Sequence, residues 1–147
     1  MPEPWLKETE LPCDPAVAAV LFALQQVEED LARFVPPPSA YFHLRHIAGS
    51  LDRLTAYLED RTLTEAQLAT LQSEEAGNES HAELLDRCTQ AFARTRAVLL
   101  QFPPAQFASA RYVGRKRIRT TAIGLMIHMA EHTQRHVGQI IAYSRVG

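Results

Sequence analysis

The sequence predicts an all-α fold, a four-helix bundle with up-down-down-up connectivity. Three observations carry this. Apolar residues recur at steps of three and four in four separate stretches. Strict apolar/polar alternation and clusters of Val, Ile and Thr are missing, so strands are poorly supported. The connections are short after the first helix and long after the second and third, which constrains the direction of each helix.

The first helix opens at Asp14-Pro15, a side-chain cap followed by proline at the first helical position. Its stripe is Val17, Val20, Leu21, Leu24, Val27, Leu31 and Phe34, and Pro36-Pro37-Pro38 ends it. Ser39 is positioned to cap the second helix, whose stripe is Leu44, Ile47, Leu51, Leu54 and Leu58. The proline turn makes these two helices antiparallel neighbours. Residues 61–79 form a long crossover with a short helical turn at Thr64–Gln72, which returns the chain along the bundle. The third helix spans Ser80–Phe102, with Leu84, Leu85, Cys88, Phe92, Val98 and Leu99 on its inner side, and Pro103-Pro104 stops it. The fourth starts near Thr120 and reverses direction. All 147 residues read as one domain, without internal repeat or low-complexity segment.

Composition narrows the function. An apolar fraction of 46%, a charged fraction of 22% and a net charge of −2 exclude a disordered chain. A pI near 6.3 argues against a nucleic-acid partner held by bulk charge. No apolar run approaches the ~18–20 residues of a membrane span, so no membrane partner is expected. Met1-Pro2-Glu3-Pro4-Trp5 lacks the basic-then-apolar pattern of a secretion signal, and a cytoplasmic location is expected. Cys13 and Cys88 are too few for a disulfide framework and read as ordinary thiols. Arg111, Arg115, Lys116, Arg117 and Arg119 cluster before the fourth helix and read as a solvated loop at the end opposite the histidines.

The histidines are the informative residues. His128, His132 and His136 follow one another at intervals of four on the last helix. Neighbours at that spacing lie ~5–6 Å apart and can share an ion, whereas the outer two are ~12 Å apart along the axis and cannot. His128 falls on a polar strip with Glu131, Arg135 and Gln139. His132 and His136 fall among Leu125, Met129, Ile140 and Tyr143, making them the better buried pair. Ile123, Met126, Ile127, Ala130, Val137 and Ile141 form a second apolar face. A helix apolar on two sides is buried on two sides, which predicts a homodimer. Thr133 stands where the metalloprotease pattern H-E-x-x-H has glutamate, so that chemistry is disfavoured.

A third ligand has to come from another helix, and the start of the second helix meets the later part of the fourth if they run antiparallel. His43 and His46 are both available there, and the helical wheel slightly favours His43. His81, at the start of the third helix, is expected to be solvent-exposed. Glu74 and Glu75, late in the crossover, are weak candidate bases near the same end, and Glu131 points to the polar strip.

His46-Ile47-Ala48-Gly49-Ser50 in the second helix, with His132, His136, Val137, Gly138 and Gln139 in the last, resembles the DinB-like superfamily of bacterial damage-inducible proteins. The resemblance implies a dimeric up-down-down-up bundle holding a divalent metal on His46, His132 and His136. His43 and His128 then become pocket-wall or outer residues. A three-histidine site with an open position is the arrangement of catalytic metals. The resemblance implies a thiol-dependent S-transferase using bacillithiol, mycothiol or glutathione, or a hydrolase, acting on a small molecule. The alternative is a non-catalytic, stress-related metal-binding homodimer. Imidazole ligands suit Zn or Ni first, with Fe or Cu also compatible.

Overall fold

Asp14 accepts a hydrogen bond from the Ala16 backbone N–H at 2.9 Å, and Pro15 occupies the first turn, so α2 (Pro15–Arg33) starts where an orphan donor finds its partner. The computed structural model describes residues 2–7 and 10–146. Before α2 lies one short helix, α1 (Pro4–Lys7), and after it come α3 (Tyr41–Leu58), α4 (Glu65–Gln72), α5 (His81–Gln101) and α6 (Ala122–Val146). The protein is mostly helical, with one small antiparallel hairpin of β1 (Ala110–Val113) and β2 (Ile118–Thr121).

Two starts are capping boxes. Thr64 and Gln67 bond each other's backbone N–H at α4, and Ser80 and Glu83 do so at α5. The start of α3 differs from expectation. Pro38–Ala40 form a 3₁₀ turn and Ala40 precedes the helix, so Ser39 caps nothing. Proline fixes the backbone of that turn before Ser39 can bond the helix N-terminus.

The hairpin is a further correction, because the sequence carried no strand signal. Its register pairs Ala110 with Thr121 and Val113 with Ile118. Gly114 at φ 73° and Arg117 at φ 49° supply the left-handed residues of the turn. Arg111 also leaves the solvated basic cluster. It is buried; its Nε donates to the Leu58 carbonyl at 2.7 Å and its guanidinium lies 5.7 Å from the Phe102 ring centre. Of the other cluster members, Arg117 packs over Tyr112 at 4.7 Å.

The core lies among the four long helices. Leu21 and Leu31 of α2, Ile47, Leu51 and Leu58 of α3, Leu84 and Leu99 of α5, and Met126, Met129 and Ile140 of α6 are almost completely enclosed. Each such side chain contributes about 1.5–3 kcal/mol of transfer free energy. Between α3 and α5, Cys88 donates to the Leu44 carbonyl at 3.4 Å and the Thr55 and Thr95 hydroxyls meet at 3.0 Å. On α6 the buried stripe runs Met126, Met129, Thr133, Val137 and Ile140. It lies between the two apolar faces expected from the wheel and leaves Ile127 57% exposed and Tyr143 45% exposed. Among the described residues, no helix is long and apolar enough to cross a membrane.

Candidate metal centre

On α6, His132 and His136 share a face one turn apart, with ring centres 4.7 Å from each other. From α3, His46 enters between them, 5.0 Å from the His132 ring and 4.6 Å from the His136 ring. One nitrogen from each of His46, His132 and His136 lies within 4.8 Å of the other two. His46 Nε2 faces His132 Nε2 at 3.2 Å. All three side chains are half-buried.

Burial above all, and then the neighbouring imidazoles beginning with His46, push the pKa of His132 and His136 down to about 4. Both rings are therefore neutral at physiological pH and carry lone pairs. His132 Nδ1 is buried with no hydrogen-bond partner among the described residues. Lone-pair nitrogens converging from two helices, one ring lacking a partner on its far side, form a donor set that fits a divalent cation.

The other histidines divide around this group. His43, favoured by the wheel, is more buried than His46 but sits one turn too early. Its Nδ1 meets His136 Nδ1 at 2.9 Å, outside the group of three. Burial, and then the nearby His46, lower its pKa too. His128 is exposed on the polar strip and bonds Glu131 at 2.6 Å. Glu131 also accepts from Arg135 and takes no part in the centre. His81 is half-buried against Tyr41, at 6.1 Å between rings, rather than solvent-exposed.

Of the two crossover glutamates, Glu75 is exposed and Glu74 is buried. Glu74 Oε2 accepts from His46 Nδ1 at 2.7 Å, and Oε1 accepts from Arg53. Burial pushes this carboxyl up, but the bonds from His46 and Arg53 together outweigh it and hold its pKa below the usual value. Phe42, one turn before His46, stacks on that ring at 5.7 Å and stands edge-on to His136 at 6.2 Å. Sequence reasoning did not find Phe42 or Arg53. Their signal was spacing, since Phe42, His46, Gly49 and Arg53 recur at three or four residues along one face of α3.

The family model of the DinB superfamily matches residues 15–140, from the first residue of α2 into the last turns of α6. The chain belongs to the DinB superfamily. Comparisons with curated proteins and with solved structures returned no match. The matched DinB span contains His46, Glu74, His132 and His136, along with the hairpin that separates the last two long helices.

Proposed function

We propose that this DinB superfamily protein holds a divalent metal ion on His46, His132 and His136, in one four-helix domain of up-down-down-up connectivity. The observation that carries the reading is the meeting of three histidine nitrogens from two helices within 4.8 Å. The connectivity is supported by the order of contacts. Leu44 with Cys88 and Thr55 with Thr95 run in the same order on α3 and α5. His43 with His136 and His46 with His132 run in opposite order on α3 and α6. Arg145 near the end of α6 lies over Phe34 at the end of α2.

Three imidazoles suit Zn or Ni first, and Fe as well. Bound there, such an ion would lower the pKa of a water or thiol and so supply a nucleophile for S-transfer to a small electrophile or for hydrolysis. The chain's own part is to keep His132 and His136 neutral by burial, to orient His46 through Glu74 and to wall one side with Phe42.

A second reading, a non-catalytic metal-binding homodimer, is favoured by one observation. Glu74, the buried carboxylate beside the group, has both oxygens engaged, by His46 and Arg53, and is not free to act as a base. The homodimer itself is supported by Ile127 and Tyr143, large apolar side chains that α6 leaves exposed, one on each of its two apolar faces.

Chelator-treated protein reloaded with Zn, Ni or Fe and analysed for bound metal tests the centre. Stoichiometric metal is expected in the parent and its loss in His132→Ala; equal binding by the two overturns the ligand set. The loaded protein is then assayed with bacillithiol, mycothiol and glutathione against an alkylating electrophile, and with water alone. Metal-dependent turnover favours the enzyme, and its absence under every condition favours the second reading.

A further inference from the structure

The crossover between α3 and α5 is anchored by a charge. Of residues 59–80, Glu74 alone is buried, 4% exposed, and α4 itself buries nothing. A segment that needed only to be pinned to α3 would do so more cheaply with leucine, because burying a carboxylate carries a desolvation penalty that its partners must offset. Here the partners are specific. Oε2 accepts from His46 Nδ1 at 2.7 Å, and the buried Arg53 donates to Oε1.

The surface of α3 is cut to receive this carboxylate. Gly49 lies under it, and a Cβ at that position would overlap Glu74 Oε1 and crowd Arg53. Glycine inside a helix is less stable than alanine, so the gap has a stability cost and its use is the close approach of Glu74. His46, Gly49 and Arg53 fall on one face of α3, so the carboxylate bonds one turn, passes over the next and bonds the third.

We infer that Glu74 is the positioning residue of the metal centre: it takes the Nδ1–H of His46, and so fixes that ring with its Nε2 lone pair toward His132 and His136. The inference rests on the metal reading of the three histidines. An imidazole with hydrogen on Nδ1 has its acceptor on Nε2, and His46 Nε2 is the atom that faces His132 Nε2 at 3.2 Å. A carboxylate in this place sets the tautomer, holds the ring angle and raises the basicity of the donor nitrogen. It also links the crossover to the centre, since displacing Glu74 frees His46 to turn.

The test uses the full chain and two readouts. The first is the affinity of parent, Glu74→Gln and His132→Ala for Zn and Ni, by competition with a chromophoric chelator. The second is the tautomer of His46 in metal-free protein at neutral pH, by nitrogen-15 NMR of the ring. The expected result is an affinity loss of about 10–100-fold in Glu74→Gln, with His46 moving from Nδ1–H to a mixture rich in Nε2–H. Circular dichroism checks the fold. If Glu74→Gln is unfolded, Glu74→Asp, which keeps the charge but draws the carboxylate back by one methylene, makes the same comparison with the same expectation. Parent-like affinity in the folded variant, or an Nε2–H tautomer in the parent, overturns the role of Glu74 while leaving the three-histidine site standing. A parent that binds neither metal, or a His132→Ala that binds like the parent, overturns the site and the positioning role with it.

Discussion

His136 meets His43 nitrogen to nitrogen, Nδ1 to Nδ1 at 2.9 Å, one turn of α3 before His46 enters the group. Two like atoms at that distance form a hydrogen bond only if one carries the hydrogen and the other a lone pair. With Nδ1 engaged, the remaining ring nitrogen of His136 is Nε2. A His136 that offers a lone pair on Nε2 carries its hydrogen on Nδ1 and donates it to His43. His43 is then the Nε2–H tautomer, with its Nδ1 lone pair already used. The contact that brings His43 close to the centre is thus the one that keeps it from being a ligand.

Substitutions should separate the four histidines accordingly. His46→Ala, His132→Ala and His136→Ala each remove one of three donors and are expected to lose stoichiometric metal after reloading. His43→Ala removes only the acceptor behind His136 and should keep the stoichiometry while weakening affinity by about 10-fold. Metal analysis and chelator competition on the four variants make the check. A His43→Ala that loses all metal while His46→Ala binds normally would reverse the two roles.

How much of this was legible in sequence depends on the range of the forces involved. Helix starts marked by Asp14, Thr64 and Ser80 are local, set by side chains reaching two or three residues along the chain, and they lie where expected. The hairpin was not legible. Its strands are four residues each, and what orders them is a tertiary contact, Arg111 to Leu58, across 53 positions. At the centre, the i, i+4 pair on α6 could be read from spacing alone. The wheel leaned to His43, which lies nearer the apolar stripe than His46, and misled because it reads only the angle about the axis, whereas the axial offset of α3 against α6 decides which histidine meets His132. The part taken by Glu74 depends on how the connection of residues 59–80 folds back, which no periodicity encodes.

Acid should destabilise the metal-free protein in a defined window. The pKa of His132 and His136 is pushed down to about 4, by burial first and then by neighbouring rings, and that of His43 is lowered for the same reasons. Above pH ~6.5, histidine is neutral in folded and unfolded chains alike and stability does not change on this account. Between ~6.5 and 4 the unfolded chain takes up protons that the folded chain refuses, so stability falls. Glu74, whose folded pKa is lowered, adds a loss in the same direction below ~4.5. Melting temperatures of chelator-treated protein from pH 8 to 4 should be level and then decline. A constant or rising Tm below pH 6.5 contradicts these environments.

The two cysteines should differ sharply toward thiol reagents. Cys88 is 1% exposed, and burial pushes its pKa up to about 12. Cys13 is half-buried, with a pKa raised by burial first and by Asp14 second. Attack requires thiolate and access, so the native protein at pH 8 is expected to titrate one thiol slowly and the denatured protein two. Alkali exposes the same difference as instability. Below pH ~9 Cys88 is protonated in both states. Above it the unfolded chain ionises while the folded one does not, and stability declines toward pH 12. Cys88→Ala should remove part of that alkaline decline, and two fast native thiols would refute the burial of Cys88.

Arg111 provides a test of the fold that leaves the histidines untouched. Its Nε bonds the Leu58 carbonyl at 2.7 Å, at the C-terminal end of α3, where carbonyls lack helical partners. Two further bonds run to the Ala110 carbonyl and to Gln106 Oε1, at 2.9 and 3.3 Å, so one guanidinium ties the helix end to the hairpin and to the turn before it. Arg111→Met keeps much of the apolar volume and removes the charged donors. The Leu58 carbonyl is then left without its side-chain partner, at a cost of about 1–3 kcal/mol. The distance from the centre is set by α3 itself, since His46 and Leu58 are twelve residues apart on one helix, ~18 Å along its axis. Urea denaturation of Arg111→Met should therefore show the stability loss while chelator competition shows parent-like metal affinity. A variant as stable as the parent would mean that the hairpin docks without Arg111, and one that loses metal would mean that the two ends of α3 are coupled.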